Sequence, residues 1–136
     1  MLQVTEVRVR YAETDQMGVV YHANYFAWCD IGRTELIRSL GGLTDAELER
    51  DGTALALVEA RLRYIKPARY DDLIRITTRV TEVRSRVVRF DYDIVMVGGG
   101  PIATGFTTLV AMTRDGRGSC IPEKLRQQLE RVRVTD

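Results

Sequence analysis

Between Leu73 and Met112 apolar and polar residues alternate in successive runs, and this period of two decides most of what the chain can become. Ile74, Ile76, Thr78 and Val80 share one side, with Arg75, Thr77 and Arg79 on the other. Val88, Phe90, Tyr92, Ile94 and Met96 likewise oppose Arg89, Asp91 and Asp93. Such alternation marks antiparallel strands with one face on a core and one in a wetter setting. Gly98-Gly99-Gly100-Pro101 turns the chain into a last run, Ile102 to Met112, and Asp115-Gly116-Arg117-Gly118 closes it. A further strand is expected over Thr53 to Ile65, ended by Lys66-Pro67. An N-terminal strand is expected within Met1 to Thr14, where Val7, Val9 and Tyr11 alternate with Glu6, Arg8 and Arg10.

Only one long stretch follows the other period. Tyr25, Phe26, Cys29, Arg33, Leu36, Ile37 and Leu40 recur at three and four, the stripe of an amphipathic helix of about four to five turns. Gly41-Gly42 stops it. Leu43 to Leu48 predicts a short second helix, with Thr44 as N-cap and Glu47 in the capping-box position. Pro122 to Val132 predicts a terminal helix with Pro122 near its first position. The order implies one α+β domain over residues 1–136, an antiparallel sheet around a single central helix. A flat sheet cannot cover such a helix, whereas a strongly curved one can wrap it. A sheet of this size keeps open edges, which proteins pair or cover. At least a dimer is therefore expected.

Composition narrows the function. A net charge of +1 gives no reason to expect nucleic acid. No run of about 18 apolar residues exists to span a membrane. The first residues lack the apolar core of a signal peptide, so the expected compartment is the cytoplasm. Cys29 and Cys120 are far apart and read as free thiols; with one histidine, no metal site is expected. The basic residues are eighteen arginines and two lysines (Lys66, Lys124), and the planar guanidinium suits phosphate. Codon bias would give the same count.

The chemistry concentrates in Arg8-Val9-Arg10-Tyr11-Ala12-Glu13-Thr14-Asp15-Gln16-Met17-Gly18-Val19-Val20-Tyr21-His22-Ala23-Asn24-Tyr25. A polar turn holding Asp15 is released by Gly18, and a helix starts near His22 to Asn24. The turn delivers one carboxylate just ahead of a helix N-terminus, where backbone N–H groups are unpaired and carry partial positive charge. A carboxylate beside preorganised N–H donors suits acyl transfer: one group drives attack on a carbonyl and the others hold the oxyanion. Gly18 permits positive φ or close backbone approach to a ligand. Taken alone, Asp15 also suits an Asx-turn, His22 a helix-start residue, Tyr11 a packed strand aromatic and Asn24 a helix cap.

The spacing resembles the signature of the 4-hydroxybenzoyl-CoA thioesterase family, and Thr14 to Tyr25 is most similar to its YbgC-like branch. The likeness continues more loosely through Pro67-Ala68-Arg69-Tyr70-Asp71-Asp72 and the strands after it. It implies a hotdog fold, a five-stranded antiparallel sheet around one long helix. It also implies hydrolysis of an acyl-CoA thioester to free acid and CoA, without metal or redox cofactor. The resemblance places the catalytic carboxylate on Asp15, as general base or as nucleophile, with His22 and Tyr11 as further catalytic residues. Gly18, Tyr21 and Asn24 are expected at the oxyanion and substrate, with the N–H of His22 or Tyr21 as the donor. Arg84, Ser85 and Arg86 are expected to meet the CoA nucleotide, with Arg61, Arg63, Lys66 and Arg69 as a second basic group. Glu13, Glu35 and Glu59 are rival carboxylates. Family members place the active site between two subunits and often pair dimers into tetramers. The alternatives are a hotdog module that binds acyl-CoA or an acyl-carrier protein without hydrolysis, and, more remotely, a dehydratase.

Overall fold

The computed structural model describes residues 1–41, 48, 50 and 52–135. β1 (Gln3–Arg8) leads through a 3-10 turn (Tyr11–Glu13) to α1 (Asn24–Ser39). Then come β2 (Thr53–Tyr64), β3 (Leu73–Val83), β4 (Val87–Met96), β5 (Gly100–Thr113) and the terminal helix α2 (Glu123–Val132). The strands form one antiparallel sheet in the order β1-β3-β4-β5-β2, so β1 and β2 are its edges. Register shifts at Leu57/Glu59, Val80/Glu82 and Ile94/Val95 supply the local bends that curve it. Helix α1 lies against β1, β3 and β4, which is the hotdog arrangement.

The alternation in the sequence is realised strand by strand. Ile76 pairs with Ile94, Thr78 with Tyr92 and Val80 with Phe90, and these inward residues are all buried. On the other face Arg79 binds Asp93 (2.8 Å) and Arg75 binds Glu6 (2.9 Å). The helix stripe delivers Tyr25, Trp28, Cys29, Gly32, Arg33, Leu36 and Ile37 to the interior. Phe26, expected in that stripe, stays partly exposed, and Gly32 enters it instead. A Cβ on Gly32 would lie 2.3 Å from Thr78 Oγ1 and 3.0 Å from Ile76 Cγ2, so helix backbone touches sheet here.

Three expectations need correction. The N-terminal strand ends at Arg8, not near Tyr11. Val9 still bonds the facing chain, donating to Asp72 C=O (2.9 Å) and accepting from Asp71 N–H (3.0 Å). That chain then leaves the extended conformation at Asp71, whose φ is +71°, and Tyr11 turns outward. Tyr11 is 77% exposed and meets Tyr70 edge-on instead of packing on the long helix. Finally, α2 begins at Glu123, with Pro122 just outside as its N-cap. The short helix expected over 43–48, with Thr44 and Glu47 at its start, lies outside the described residues except for Leu48, which is buried.

Candidate active site

The turn around Asp15 is closed by its own backbone. Thr14 and Val20 form an antiparallel bridge, Asp15 N–H donates to Val19 C=O (2.9 Å), and Gly18 N–H donates to Asp15 C=O (3.0 Å). Gly18 has φ of +77°, the left-handed conformation that glycine adopts without steric cost. Asp15 Oδ1 accepts the N–H of Met17 (2.8 Å), an Asx-turn that fixes the carboxylate. Among the described residues nothing hydrogen-bonds Oδ2, and the side chain is half-buried. The segment before β3 straps the turn down: Val20 N–H donates to Ala68 C=O (2.8 Å) and Arg69 Nη1 to Gly18 C=O (3.4 Å).

The turn passes directly into α1. Tyr21 N–H donates to Glu13 C=O (2.9 Å), so of the two amides expected to polarise a carbonyl this one is already spent. Asn24 does not cap the helix: Ala23 is the N-cap, without a side-chain bond, and Asn24 Nδ2 reaches back to Glu13 C=O (2.8 Å). The N–H groups of His22 and Ala23 have no acceptor among the described residues. They are the open donors at this helix start.

Beside them lies a cavity of about 210 Å³ lined by Val20, His22, Tyr25, Tyr64, Ile65, Lys66 and Pro67. Tyr64 Oη donates to His22 C=O (2.8 Å), and Tyr25 Oη accepts the N–H of Ala68 (3.1 Å). Burial pushes both tyrosine hydroxyls up. Burial also pushes the Cys29 thiol up to about 12, which keeps it protonated and unreactive. Asp15 does not line this cavity; its turn adjoins it through Val20. Tyr64 reaches His22 over 42 residues of chain, and Ile65 joins it in the cavity lining. No local pattern signals that.

The remaining expected residues are dispersed. Arg84 pairs with Glu82 (2.6 Å) at the β3–β4 turn, where Ser85 and Arg86 are exposed. That turn is the full length of β3, about 30 Å, from the Ala68–Asp72 strap, so one chain does not bring Arg84–Arg86 to Asp15. Arg61 and Arg63 line a groove over the β2–β5 pairing, with Thr104 and Phe106 opposite them. Of the rival carboxylates, Glu35 pairs with Arg38, Glu59 lies exposed on β2, and Glu13 is buried. No group of three or more His, Cys, Asp or Glu able to hold a metal occurs among the described residues. No helix among them is long and apolar enough to cross a membrane.

The sheet wrapped on one long helix is an architecture shared with known proteins. Residues 17–103 match the model of the Thioesterase superfamily, and the chain belongs to that family. It is 39% identical over 94 residues to YneP of Bacillus subtilis, a stretch covering 69% of this chain and 67% of that protein. It is 36% identical over 89 residues to the acyl-CoA thioesterase YbgC of Haemophilus influenzae, covering 65% of each chain. The matched stretch therefore spans about two thirds of these relatives. Among solved structures, the DHNA-CoA thioesterase of Staphylococcus aureus superposes with a TM-score of 0.92 at 27% identity, over 96% of this chain and 90% of that one.

Proposed function

We propose that the Asp15 turn and the opening of α1 carry the chemistry of an acyl-CoA thioesterase acting as a single domain. The reaction is hydrolysis of the thioester to a free acid and the CoA thiol. One observation carries the site assignment. The backbone that holds Asp15 also ends in the N–H groups of His22 and Ala23, which have no acceptor among the described residues, beside a cavity. Oδ1 is held by Met17 N–H, which leaves Oδ2 to face a water molecule or the thioester carbon. In the first case Asp15 takes the proton of the attacking water. In the second it forms a mixed anhydride that water then hydrolyses. In either case the carbonyl oxygen gains charge against the amides, and the thiolate leaves.

The His22 ring orients substrate, Gly18 allows close approach to the turn, and Tyr25, Tyr64 and Ile65 contact the acyl group. Neither metal nor redox cofactor is needed for this chemistry. The working unit is at least a dimer. Edge strand β2 leaves Leu57 and Val58 more than half exposed, with Ile65 at 55% just beyond it, a surface suited to strand pairing with a second copy. That copy supplies Arg84–Arg86 to the CoA nucleotide. Two free cysteines fit a reducing, cytoplasmic setting.

The test is thiol release from short, long and aromatic acyl-CoAs with Asp15→Asn as control. Loss of turnover on the order of 10²-fold or more is expected. Wild-type turnover in the variant would refute the site. Acyl-CoA binding without thiol release by the native protein would point to a non-hydrolytic module.

A further inference from the structure

We infer that Glu13 is a positioning residue, the clamp that fixes the Asp15 turn against the first turns of α1; this rests on the reading of Asp15 given above. Glu13 is 8% exposed, and an ionised carboxylate is costly to bury unless it is hydrogen-bonded. Its oxygens are filled from two directions. Oε1 accepts the N–H of Arg10 (2.8 Å), ahead of the turn, and Oε2 accepts Trp28 Nε1 (3.1 Å), inside the helix. Its backbone C=O meanwhile takes Tyr21 N–H (2.9 Å) and Asn24 Nδ2 (2.8 Å). Residue 13 is thereby tied to both ends of the segment carrying Asp15 and to successive turns of the helix that presents the His22 and Ala23 amides.

The residue type follows from the partners. Arg10 N–H and Trp28 Nε1–H can only donate, so both side-chain oxygens must accept. Glutamine would set an amide N–H against one of those donors. Aspartate is one methylene shorter and cannot span the same gap. Displacement of a reacting group by about 1 Å costs on the order of 10²-fold in rate, so loosening this clamp reduces turnover although Glu13 itself touches no substrate.

The experiment compares Glu13→Gln, Asp15→Asn, their double variant and Leu36→Ala, a core truncation further along α1. Glu13→Gln is expected to lower kcat about tenfold with KM within about twofold, the signature of lost transition-state alignment. In the Asp15→Asn background it should add little, since the group being positioned is gone. Leu36→Ala should reduce thermal stability and leave kcat of the folded enzyme unchanged. Trp28 is the sole tryptophan, so its emission reports the contact directly and should shift in Glu13→Gln but not in Leu36→Ala. If Glu13→Gln does not fold, Trp28→Phe, which removes the indole donor together with some core volume, takes its place, with Leu36→Ala as the packing control and a smaller expected loss of kcat. An unchanged kcat in these variants beside an inactive Asp15→Asn overturns the Glu13 inference alone. Full activity in Asp15→Asn overturns both readings.

Discussion

The two ends of β3 are built by different means. At the Leu73 end the chain is cross-strapped: Val9 to Asp71 and Asp72, Val20 to Ala68, and Arg69 to Gly18. At the Val83 end an exposed hairpin turn carries Arg84–Arg86, with Arg84 in a surface pair to Glu82. Both ends are tied by backbone, the second through Ile121 N–H to Ser85 C=O (2.8 Å) and Ala111 N–H to Arg86 C=O (2.9 Å). They differ in their charged side chains: Asp15 is half-buried and fixed by Met17 N–H, whereas Arg84 and Arg86 stand exposed. The difference fits a division of labour, in which the carboxylate end performs chemistry and the arginine end attracts a charged, mobile part of the substrate. Such a division works only if the arginine end belongs to a second copy.

The largest effects should fall at the carboxylate end. Asp15→Asn should reduce kcat by about 10²-fold or more, equal to about 2.7 kcal/mol of barrier, with thermal stability close to wild type. Steady-state thiol release and a melting curve on the same preparation check both halves. A loss confined to KM would move Asp15 from chemistry to binding and erase the contrast between the ends.

The middle of the sheet keeps the two ends in register, and glycine does so by absence of side chain. A Cβ on Gly105 would lie 1.9 Å from Arg61 C=O, a backbone atom that cannot swing aside. Gly105→Ala should therefore destabilise by about 3 kcal/mol or more, the upper range for overpacking. Gly32→Ala meets a side-chain oxygen instead and should cost about 1–3 kcal/mol. Thr78→Ala removes the first atom that this Cβ would strike, so the Gly32→Ala, Thr78→Ala pair should recover part of the loss. Denaturant unfolding of the four variants ranks them.

What was legible in the chain follows from the range of each interaction. Strand and helix periods are local, so the spacing of Ile76, Phe90, Leu36 and Ile37 already points them inside, where they are buried. Gly32 has no apolar weight in such a pattern, and its role appears only when Thr78 stands opposite. Tyr11 continues the alternation of β1, yet it opens a 3-10 turn and its ring stands against Tyr70, far along the chain. Within the candidate site, Asp15, Gly18 and His22 stand in one motif. The Glu13 clamp and the Tyr64 bond to His22, a contact over 42 residues, need the folded chain.

If the arginine end serves a neighbour, subunits should complement. Asp15→Asn mixed with the Arg84→Ala, Arg86→Ala double variant should regain about half of wild-type activity per mixed dimer, because one of its two sites takes both intact parts. Refolding the two together and assaying at low substrate shows it. Absence of any regain would place the arginines and Asp15 in unrelated surfaces.

The smallest effect sharpens the contrast most. The Arg84–Glu82 pair is 72% and 38% exposed at its side chains, and exposed pairs contribute about 0–1 kcal/mol because water and salt screen them. Arg84→Ala should therefore leave stability within about 0.5 kcal/mol of wild type while raising KM for acyl-CoA a few-fold and leaving kcat unchanged. The KM effect should fade as salt rises, since it comes from attraction to phosphate. A short acyl thioester lacking the nucleotide should not distinguish the variant from wild type. If it did, Arg84 would be acting through the sheet on the carboxylate end, and the two ends of β3 would form one mechanical unit.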